Sequence, residues 1–600
     1  MKLRNLTIAL LSFLAISLQA QTYNEYELSF DNAVHHEANI KIKFSNLENK
    51  VLEVRMSRSS PGRYAVHEFA KNVYNVKATD GNGKALPITR ENPYQWNVAG
   101  HNGTVYFEYT LYANRAGGTY SGIDESHAHL NMPATLAWAR GLDQRPVKVK
   151  FNVREDRNWK VATQLKDLGN NTFYAPNTYY LMDSPTEIAD LYFRERNVDG
   201  QTIRLALHKD GTTDAEVDAY FEETMGIVMQ QKAVFGELAT FDFGQYTFLS
   251  CYMPNASGDG MEHRNSTYVV SGLPVERPLG STSMGTMSHE FFHSWNVERI
   301  RPKSLEPFSF EDANMSGELW FAEGFTSYYT ALMQARSGSI SPEQYVNGLG
   351  GSVGYVINAP GRSFHNPIEM SYQAPFVDAA TSIDPTNLSN IFISYYTYGS
   401  VLGLALDMSL RTMDNGKNLD DYMKYVWEQH GKTEIPYTVR DLQARMAEYA
   451  GESFANEFFG KYILDSQMPD YASLFKKMGV TYTNRAEGRA SIGGNIRNQR
   501  GGWQLTGNAT VGSPIYKAGV ESEDVILSLA GTVLTDDSNI NEIIAAHKPG
   551  DTIEIKYRKI WGEEKTSKLT LEEAQAWSTA MDANADAKAK ARREAWLRKK

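Results

Sequence analysis

The sequence is poor in several features that would restrict its function. Its 600 residues include one cysteine, Cys251, which excludes an internal disulfide and is interpreted as a small packed hydrophobe rather than a nucleophile. The formal charge of −11 and a pI near 5.7 give no reason to expect nucleic acid as a partner, because that would need a broad basic face. With 42% hydrophobic and 22% charged residues, the composition is that of ordinary globular domains.

The N-terminus has the features of a secretory signal. Lys2 and Arg4 precede an apolar run over residues 6–18, and Ala20 provides a small residue at the cleavage site. The run is too short to span a bilayer, and no later segment is apolar enough to do so. Residues 1–20 are therefore predicted to be a signal peptide, and the mature chain to be exported to a periplasm or beyond the cell. The alternative is a first core strand or helix.

Hydrophobic periodicity changes three times along the chain. Two-residue alternation, as in residues 105–111, predicts a β-rich first domain, and long helical patterns such as Asp214–Phe235 follow it. Short strands and glycine turns then return, and an Ala-, Lys- and Arg-rich segment predicts a solvated helical tail. The chain is thus predicted to be multidomain α+β, with boundaries at 21–197, 198–487, 488–573 and 574–600.

The strongest chemical signal is residues 288–295, which read Ser-His-Glu-Phe-Phe-His-Ser-Trp. On a helix, His289 and His293 share one face because they are four residues apart. Two imidazoles there can hold one metal ion, and Glu290 can reach a water on that ion, which is the HExxH arrangement of zinc peptidases. This spacing predicts a catalytic zinc site.

A catalytic zinc ion needs a third protein ligand and one open position. Residues 318–329 offer Glu318 and Glu323, which are five residues apart, so that only one can face the metal. Glu323 lies within an apolar helical pattern, where a charge must be paired or metal-bound, whereas Glu318 begins the pattern and favours the helix dipole. Glu323 is predicted to be the ligand. Its alternative is an ion pair with Arg299 or Arg301.

Residues 289–302 and 319–329 resemble the glycyl aminopeptidase family of PDZ-containing gluzincins, distant relatives of aminopeptidase N. The resemblance extends over nearly the whole mature chain. It implies a β-rich N-terminal domain, a thermolysin-like, mainly helical catalytic domain and a C-terminal PDZ-like domain. It also implies one zinc ion as cofactor and peptides with a free N-terminus as substrates.

The resemblance assigns a substrate-binding role to Glu262. Residues 259–265, Asp-Gly-Met-Glu-His-Arg-Asn, are similar to the Gly-Ala-Met-Glu-Asn exopeptidase motif of the aminopeptidase N group, with His263 in place of the Asn. In that motif the Glu binds the α-amino group of the substrate. The resemblance therefore implies that Glu262 pairs with the α-ammonium, so that cleavage falls after the first residue. From the residues alone, Glu262 could instead be an edge-strand residue in solvent.

A tyrosine is implied in the same way. Residues 395–399, Tyr-Tyr-Thr-Tyr-Gly, are similar to the segment whose tyrosine stabilises the tetrahedral intermediate in those relatives. Alignment on the glycine selects Tyr396, with Tyr395 and Tyr398 left open and packing the alternative for each. A phenol held against the developing oxyanion donates a hydrogen bond that strengthens in the transition state.

These residues together predict an exported zinc metallo-aminopeptidase that hydrolyses peptides through a metal-activated water, with Glu290 as the general base. Two alternatives remain. The PDZ-like module could bind a peptide ligand as part of a scaffold or folding factor with a vestigial peptidase domain. The zinc site could also belong to an endopeptidase, in which Glu262 would not read an N-terminus.

His127 and His129 form a weaker pattern. In a strand they would share a face and could begin a second metal site, but two ligands without a nearby third are weak evidence. The sequence favours packing, or a place in the lining of the substrate cleft.

Overall fold

A computed structural model of the chain describes residues 21–377, 384 and 386–600. The signal peptide predicted for residues 1–20 lies outside the described residues. Within them, no helix has both the length and the apolar character that a membrane span requires. The predicted multidomain α+β architecture is confirmed, with a β-rich domain, a mainly helical domain and a smaller, strand-rich domain following one another.

The N-terminal domain is built from strands whose alternating side chains bury one face. In strand Glu37–Phe44 every second residue is buried, as the two-residue period predicts. The largest sheet has seven strands, in the order Lys166–Asp167, Thr172–Ala175, Val147–Asn152, Asn24–Ser29, Glu37–Phe44, Val105–Tyr112 and Val73–Asp80. Two four-stranded sheets complete it: Trp138–Ala139, Leu52–Arg55, Gln95–Val98 and Ile88–Thr89, and Lys160–Thr163, Thr186–Ala189, His127–Leu130 and Gly122–Ile123.

The catalytic domain begins with a five-stranded sheet rather than directly with helices. Its order is Tyr192–Val198, Gln201–His208, Gln245–Tyr252, Ser266–Ser271 and Asp259–His263. Because Tyr192–Val198 pairs with Gln201–His208, the structure places the domain boundary before Tyr192 rather than after residue 197. The helix Asp214–Phe235 has the predicted bounds, which are set by a capping box at Thr213 and by Gly236 in a left-handed conformation.

Helices form most of the rest of the catalytic domain, which ends in strand Val480–Asn484. In chain order they are Met284–Phe292, Lys303–Leu305, Leu319–Ala322, Gly324–Ser337, Pro342–Asn358, Pro360–Ser363, Pro367–Tyr372, Ala374–Val377, Leu388–Ile391, Tyr395–Arg411, Leu419–Val426, Trp427–Gly431, Val439–Ala450, Glu452–Tyr462 and Tyr471–Lys477. One region differs from the sequence pattern, because the apolar helical pattern around Glu323 is divided there into two helices. The three tyrosines at 395, 396 and 398 lie in the first turn of Tyr395–Arg411.

The C-terminal domain, expected to be PDZ-like, contains a strand, a helix and a further strand in that order. Its four-stranded sheet runs Thr532–Val533, Val525–Leu529, Thr552–Arg558 and Glu564–Thr570. Its remaining elements are the hairpin Ile496–Gln499 with Gly502–Leu505, the strand pair Ala490–Ser491 with Glu572–Glu573, and the helices Pro514–Lys517 and Ile540–Ala545.

The prediction of a solvated helical tail over residues 574–600 is wrong. Strand Trp577–Met581 pairs with Val480–Asn484 of the catalytic domain, and the helix is confined to Ala587–Leu597. The Trp596 side chain is 0% exposed. The Ala, Lys and Arg content of the segment predicted a solvated helix, but Trp596 and Leu597 are buried in the core of the catalytic domain.

Candidate metal centre

Three predicted ligands meet at one end of the helix Met284–Phe292. His289 lies in its last turn and His293 follows directly after it, while Glu323 occupies the break between two later helices. Oε2 of Glu323 lies 3.3 Å from Nε2 of His289 and 3.2 Å from Nε2 of His293. Ligands about 2.0–2.1 Å from a tetrahedral ion lie about 3.4 Å from each other, so these atoms have the spacing that one zinc ion requires.

Hydrogen bonds on the far side of each ring orient the two histidines. Nδ1 of His293 donates to the Asn296 carbonyl at 2.6 Å, and Nδ1 of His289 donates to the Thr330 hydroxyl oxygen at 3.1 Å. The Thr330 hydroxyl is itself an acceptor here, because its own proton goes to the Thr326 carbonyl. This arrangement points both Nε2 atoms toward the position of the cation, which each ring can bind in the tautomer that donates from Nδ1.

Glu323 is held by a tyrosine from the N-terminal domain. The hydroxyl of Tyr64 donates to Oε1 of Glu323 at 2.7 Å, and the Glu323 side chain is buried. Arg299, the first alternative partner, donates chiefly to main-chain carbonyls, and Arg301 pairs with Glu306. The alternative of a buried arginine pair for Glu323 is therefore not what the structure contains.

Glu318 has a different part from its neighbour. It is the residue before helix Leu319–Ala322, as expected, but its carboxylate makes no hydrogen bond to the first main-chain N–H groups of that helix. It accepts instead from the hydroxyls of Ser304 and Ser316 at 2.8 and 3.0 Å. Glu318 thus bonds to two serines, whereas Glu323 faces the two histidines of the metal centre.

Two glycines bring the tyrosine-bearing helix to the metal centre. A Cβ atom on Gly324 would overlap the main chain of Gly399, so the helices Gly324–Ser337 and Tyr395–Arg411 can approach this closely only without side chains there. The approach places the Tyr396 ring beside His289, with centroids 5.9 Å apart.

The three tyrosines have separate environments. Tyr396 lines the cleft, Tyr395 stacks on Tyr396 with centroids 4.9 Å apart, and Tyr398 is fully buried in the core. Among the alternatives that the sequence left open, the position of Tyr396 is the one compatible with contact to a substrate.

The ligands lie in a cleft of about 440 Å³ into which two further carboxyls project, Glu290 and Glu262. Ligand-type oxygens of both lie within 4.8 Å of each other and of a ring nitrogen of His293. Glu262 is 5% exposed, so it is not the solvent-exposed edge residue that the sequence allowed. A Cβ on Gly260 would overlap Oε1 of Glu290, which explains how the strand can approach the helix here.

The electrostatics of the cleft favour bound cations. Burial raises the pKa of the Glu290 carboxyl well above its ordinary value, with Glu262 and Glu323 adding to the effect and His293 opposing it. Burial likewise raises the pKa of Glu262. Burial alone would lower the pKa of His293, but the surrounding carboxylates raise it to about 10. A positive ligand bound beside these carboxyls would favour their ionised forms and offset the effect of burial.

His263, which replaces the Asn of the exopeptidase motif, faces away from the cleft. Successive residues of a strand point to opposite sides, so Glu262 faces the cleft and His263 the other side. Its Nδ1 lies 2.9 Å from Oδ1 of Asp183. The substitution therefore falls outside the lining of the cleft.

Sequence reasoning missed the loop of the N-terminal domain that closes one side of the site. Gly62, Arg63 and Tyr64 all reach the metal centre or its cleft, and Arg63 forms an ion pair with Asp259. A Cβ on Gly62 would overlap the sulfur atom of Met261, and the φ of 77° at Gly62 also favours glycine. The Pro-Gly dipeptide at 61–62 indicates a turn, but nothing local indicates which surface the turn covers.

Comparison with known families agrees with this architecture. The sequence profile of the peptidase M61 N-terminal domain matches residues 25–190, that of M61 glycyl aminopeptidase matches residues 282–402, and that of the PDZ domain matches residues 490–572. No curated protein matches the chain at a significant level.

Solved structures provide the fold comparison. An aminopeptidase N family protein from Idiomarina loihiensis superposes with a TM-score of 0.82 at 23% identity, over 96% of this chain and 100% of that one. An M1 zinc metallopeptidase from Deinococcus radiodurans gives 0.43 at 14% identity, over 75% of this chain and 95% of that one.

Fold and family profiles together define a multidomain peptidase that carries a PDZ domain. Within that class, the chain belongs to the M61 glycyl aminopeptidase family, and the resemblance seen in the sequence is confirmed.

Proposed function

We propose that the protein is an exported zinc aminopeptidase that removes the N-terminal residue from peptides. The observation that carries the proposal is the meeting of His289, His293 and Glu323 at 3.2 and 3.3 Å beneath a cleft that also receives Glu290 and Glu262. A scaffold with a vestigial peptidase domain has no physical need for such an arrangement.

The donor set fits zinc. Two imidazoles and one carboxylate are the ligands of known catalytic zinc sites, and three protein ligands leave a position for water or substrate. Zinc held by His289, His293 and Glu323 would lower the pKa of a bound water toward ~7 and polarise the scissile carbonyl.

The remaining cleft residues supply proton transfer and substrate positioning. Glu290 accepts the proton of the attacking water and delivers a proton to the leaving amine, so no covalent intermediate is needed. Glu262 pairs with the α-ammonium of the substrate, which compensates the cost of keeping this carboxylate buried. Tyr396 donates a hydrogen bond to the oxyanion that forms at the scissile carbonyl.

Export is part of the same proposal. It rests on the signal-like residues 1–20, in which Lys2 and Arg4 precede the apolar run. A peptide ligand of the PDZ domain is a further proposed partner, because such domains add an extended peptide to a sheet edge.

The experiment compares peptides with free and acetylated N-termini, incubated with the zinc-loaded mature chain and analysed by mass spectrometry. We expect loss of one residue from the free peptides and no cleavage of the acetylated ones, because acetylation removes the ammonium that pairs with Glu262. Cleavage of both kinds would indicate an endopeptidase, and cleavage of neither would favour a binding protein.

Three variants assign the roles within the site. Glu290→Gln should keep zinc and abolish hydrolysis, whereas Glu323→Ala should lose zinc and hydrolysis together. Glu318→Gln is the matched control, since that carboxylate bonds to two serines outside the cleft, and it should retain zinc and turnover. Full zinc occupancy in Glu323→Ala would show that another residue is the third ligand.

A further inference from the structure

A second group of ligand-type side chains lies between the N-terminal domain and the catalytic sheet. His127 and Glu187 come from paired strands of the first domain, and His208 and Cys251 are cross-strand partners in the catalytic sheet. One ligand atom from each of the four lies within 4.8 Å of all the others. All four side chains are buried, and none lines the cleft at Glu290.

We propose that these four residues bind a second zinc ion in a closed, structural site. Two imidazoles, one thiolate and one carboxylate are all zinc donors, and the thiolate favours zinc over the hard cations magnesium and calcium. Nδ1 of His208 lies 3.5 Å from Oε1 of Glu187 and 3.9 Å from Sγ of Cys251. A tetrahedral zinc ion needs separations of about 3.4 and 3.6 Å between such atoms, so these two pairs are close to the required spacing.

Two buried polar atoms point to a missing cation. Within the described residues, Nε2 of His127 and Oε1 of Glu187 have no hydrogen-bond partner. Leaving such an atom buried and unpaired is unfavourable, because it has lost its hydrogen bonds to water and gained none in exchange. In each residue the opposite atom is occupied, so the unpaired atom is the one left for the cluster. A single metal ion would satisfy both.

The partners behind these ligands have the arrangement typical of metal sites. Nδ1 of His127 lies 3.0 Å from Oδ1 of Asp124, which leaves Nε2 for the ion, as in carboxylate–histidine–metal triads. Nδ1 of His129 lies 2.7 Å from Oε2 of Glu187, and its Nε2 faces the Gly117 carbonyl at 2.9 Å. His129 therefore orients the carboxylate and is not itself a ligand.

This site revises two interpretations from the sequence. His127 and His129 do share a face of one strand, but neither lines the substrate cleft. Two of the four proposed ligands, His208 and Cys251, come from another domain. Spacing in the sequence could therefore not reveal them. Cys251 acquires a role beyond packing, as the one thiolate in the site.

The role of the ion follows from coordination number. Four protein ligands fill a tetrahedral zinc ion and leave no position for water, so the site would stabilise the domain junction and take no part in hydrolysis. It would join strands that no disulfide can link, because the chain has one cysteine.

Metal content provides the first test. The mature chain is first stripped of metal by chelation under reducing conditions, reloaded with zinc and passed through gel filtration. We expect about two zinc ions per chain, measured by inductively coupled plasma mass spectrometry. Cys251→Ser and His127→Gln should each reduce this to about one, as should Glu323→Ala at the other centre. His430→Gln, which alters a buried histidine outside both groups, should leave about two.

Cobalt spectroscopy provides a test that the wild-type protein alone can decide, even if a variant fails to fold. Because Cys251 is the only cysteine in the sequence, a thiolate-to-cobalt charge-transfer band in the near ultraviolet can arise only at this site. We expect the band in the cobalt-loaded wild type and in Glu323→Ala, and its loss in Cys251→Ser. Absence of the band in the wild type, with about one zinc per chain, would overturn the proposal and identify the group as a metal-free hydrogen-bonded cluster.

The two proposals fail separately. A thiolate band with an inactive wild-type enzyme would leave the second site intact and remove the aminopeptidase. An active enzyme without the band would do the reverse.

Discussion

The carboxylate of Glu323 is shared between two partners of different kinds. One oxygen faces both imidazoles, and the other accepts the hydrogen bond from Tyr64. Since Tyr64 occupies Oε1, a single oxygen is left for a cation, and the rotation of the carboxylate is fixed by a residue outside the catalytic domain. Replacing a partner that orients a ligand in this way typically lowers metal affinity about 10–100-fold.

The Tyr64→Phe variant tests this dependence. Without its hydroxyl the Glu323 carboxylate can rotate, and we expect zinc affinity at this centre to fall about 10–100-fold, measured by competition with a chromogenic chelator. The matched control is Tyr471→Phe, which removes another buried hydroxyl that donates at 2.8 Å, to the Val401 carbonyl. Equal zinc affinities in the two variants would contradict the assigned role.

At the scale of elements, the cleft depends on a strand lying almost against a helix. Strand Asp259–His263 carries Glu262, helix Met284–Phe292 carries Glu290, and Gly260 is the point of contact between them. A side chain at this position would overlap both Oε1 of Glu290 and the methyl group of Thr286. The short distance between the proposed ammonium site and the proposed base is thus possible because residue 260 is a glycine.

Gly260→Ala should therefore reduce kcat while leaving the metal in place. Displacing Glu290 by the size of a methyl group should cost about 10²-fold in turnover, since a misplacement of about 1 Å has effects of that order. Gly258→Ala is the control, because a Cβ there meets nothing within 4 Å. Kinetics with a free dipeptide substrate and zinc analysis check both variants, and unchanged kcat in Gly260→Ala would refute the contact.

Local patterns predicted the elements that depend on local chemistry. The bounds of Asp214–Phe235 followed from its helical apolar pattern, and the spacing of His289 and His293 placed two rings on one side. The break at Glu323 did not follow, because the apolar pattern continues across it. The contribution of Tyr64 could not follow either, since only the packing of two domains brings it to the metal centre.

At the scale of the whole molecule, a segment that follows the PDZ domain completes the core of the catalytic domain. Nε1 of Trp596 donates to the Tyr328 hydroxyl at 2.9 Å, and the Arg336 guanidinium donates to the Trp596 carbonyl at 2.8 Å. Tyr328 and Arg336 lie on the helix Gly324–Ser337, which begins directly after Glu323. The C-terminal helix therefore supports the element that presents the predicted third ligand.

Trp596→Ala should destabilise the catalytic domain by about 3–5 kcal/mol, because it opens a cavity beneath that helix. The measurement is urea unfolding followed by zinc release, in which the midpoint should move to lower urea. Trp561→Ala is the control, since that side chain is 67% exposed, and its free energy of unfolding should stay within about 0.5 kcal/mol of wild type. Equal midpoints would show that the segment contributes nothing to the domain.

The position of Trp596 also has a consequence for biosynthesis. The helix Gly324–Ser337 leaves the ribosome long before the residues that cover it, because the PDZ domain is translated in between. Domains generally begin to fold in order of synthesis, so the growing polypeptide carries a catalytic domain with an open slot. We expect the catalytic domain to become active only after translation has passed the PDZ domain and reached Trp596.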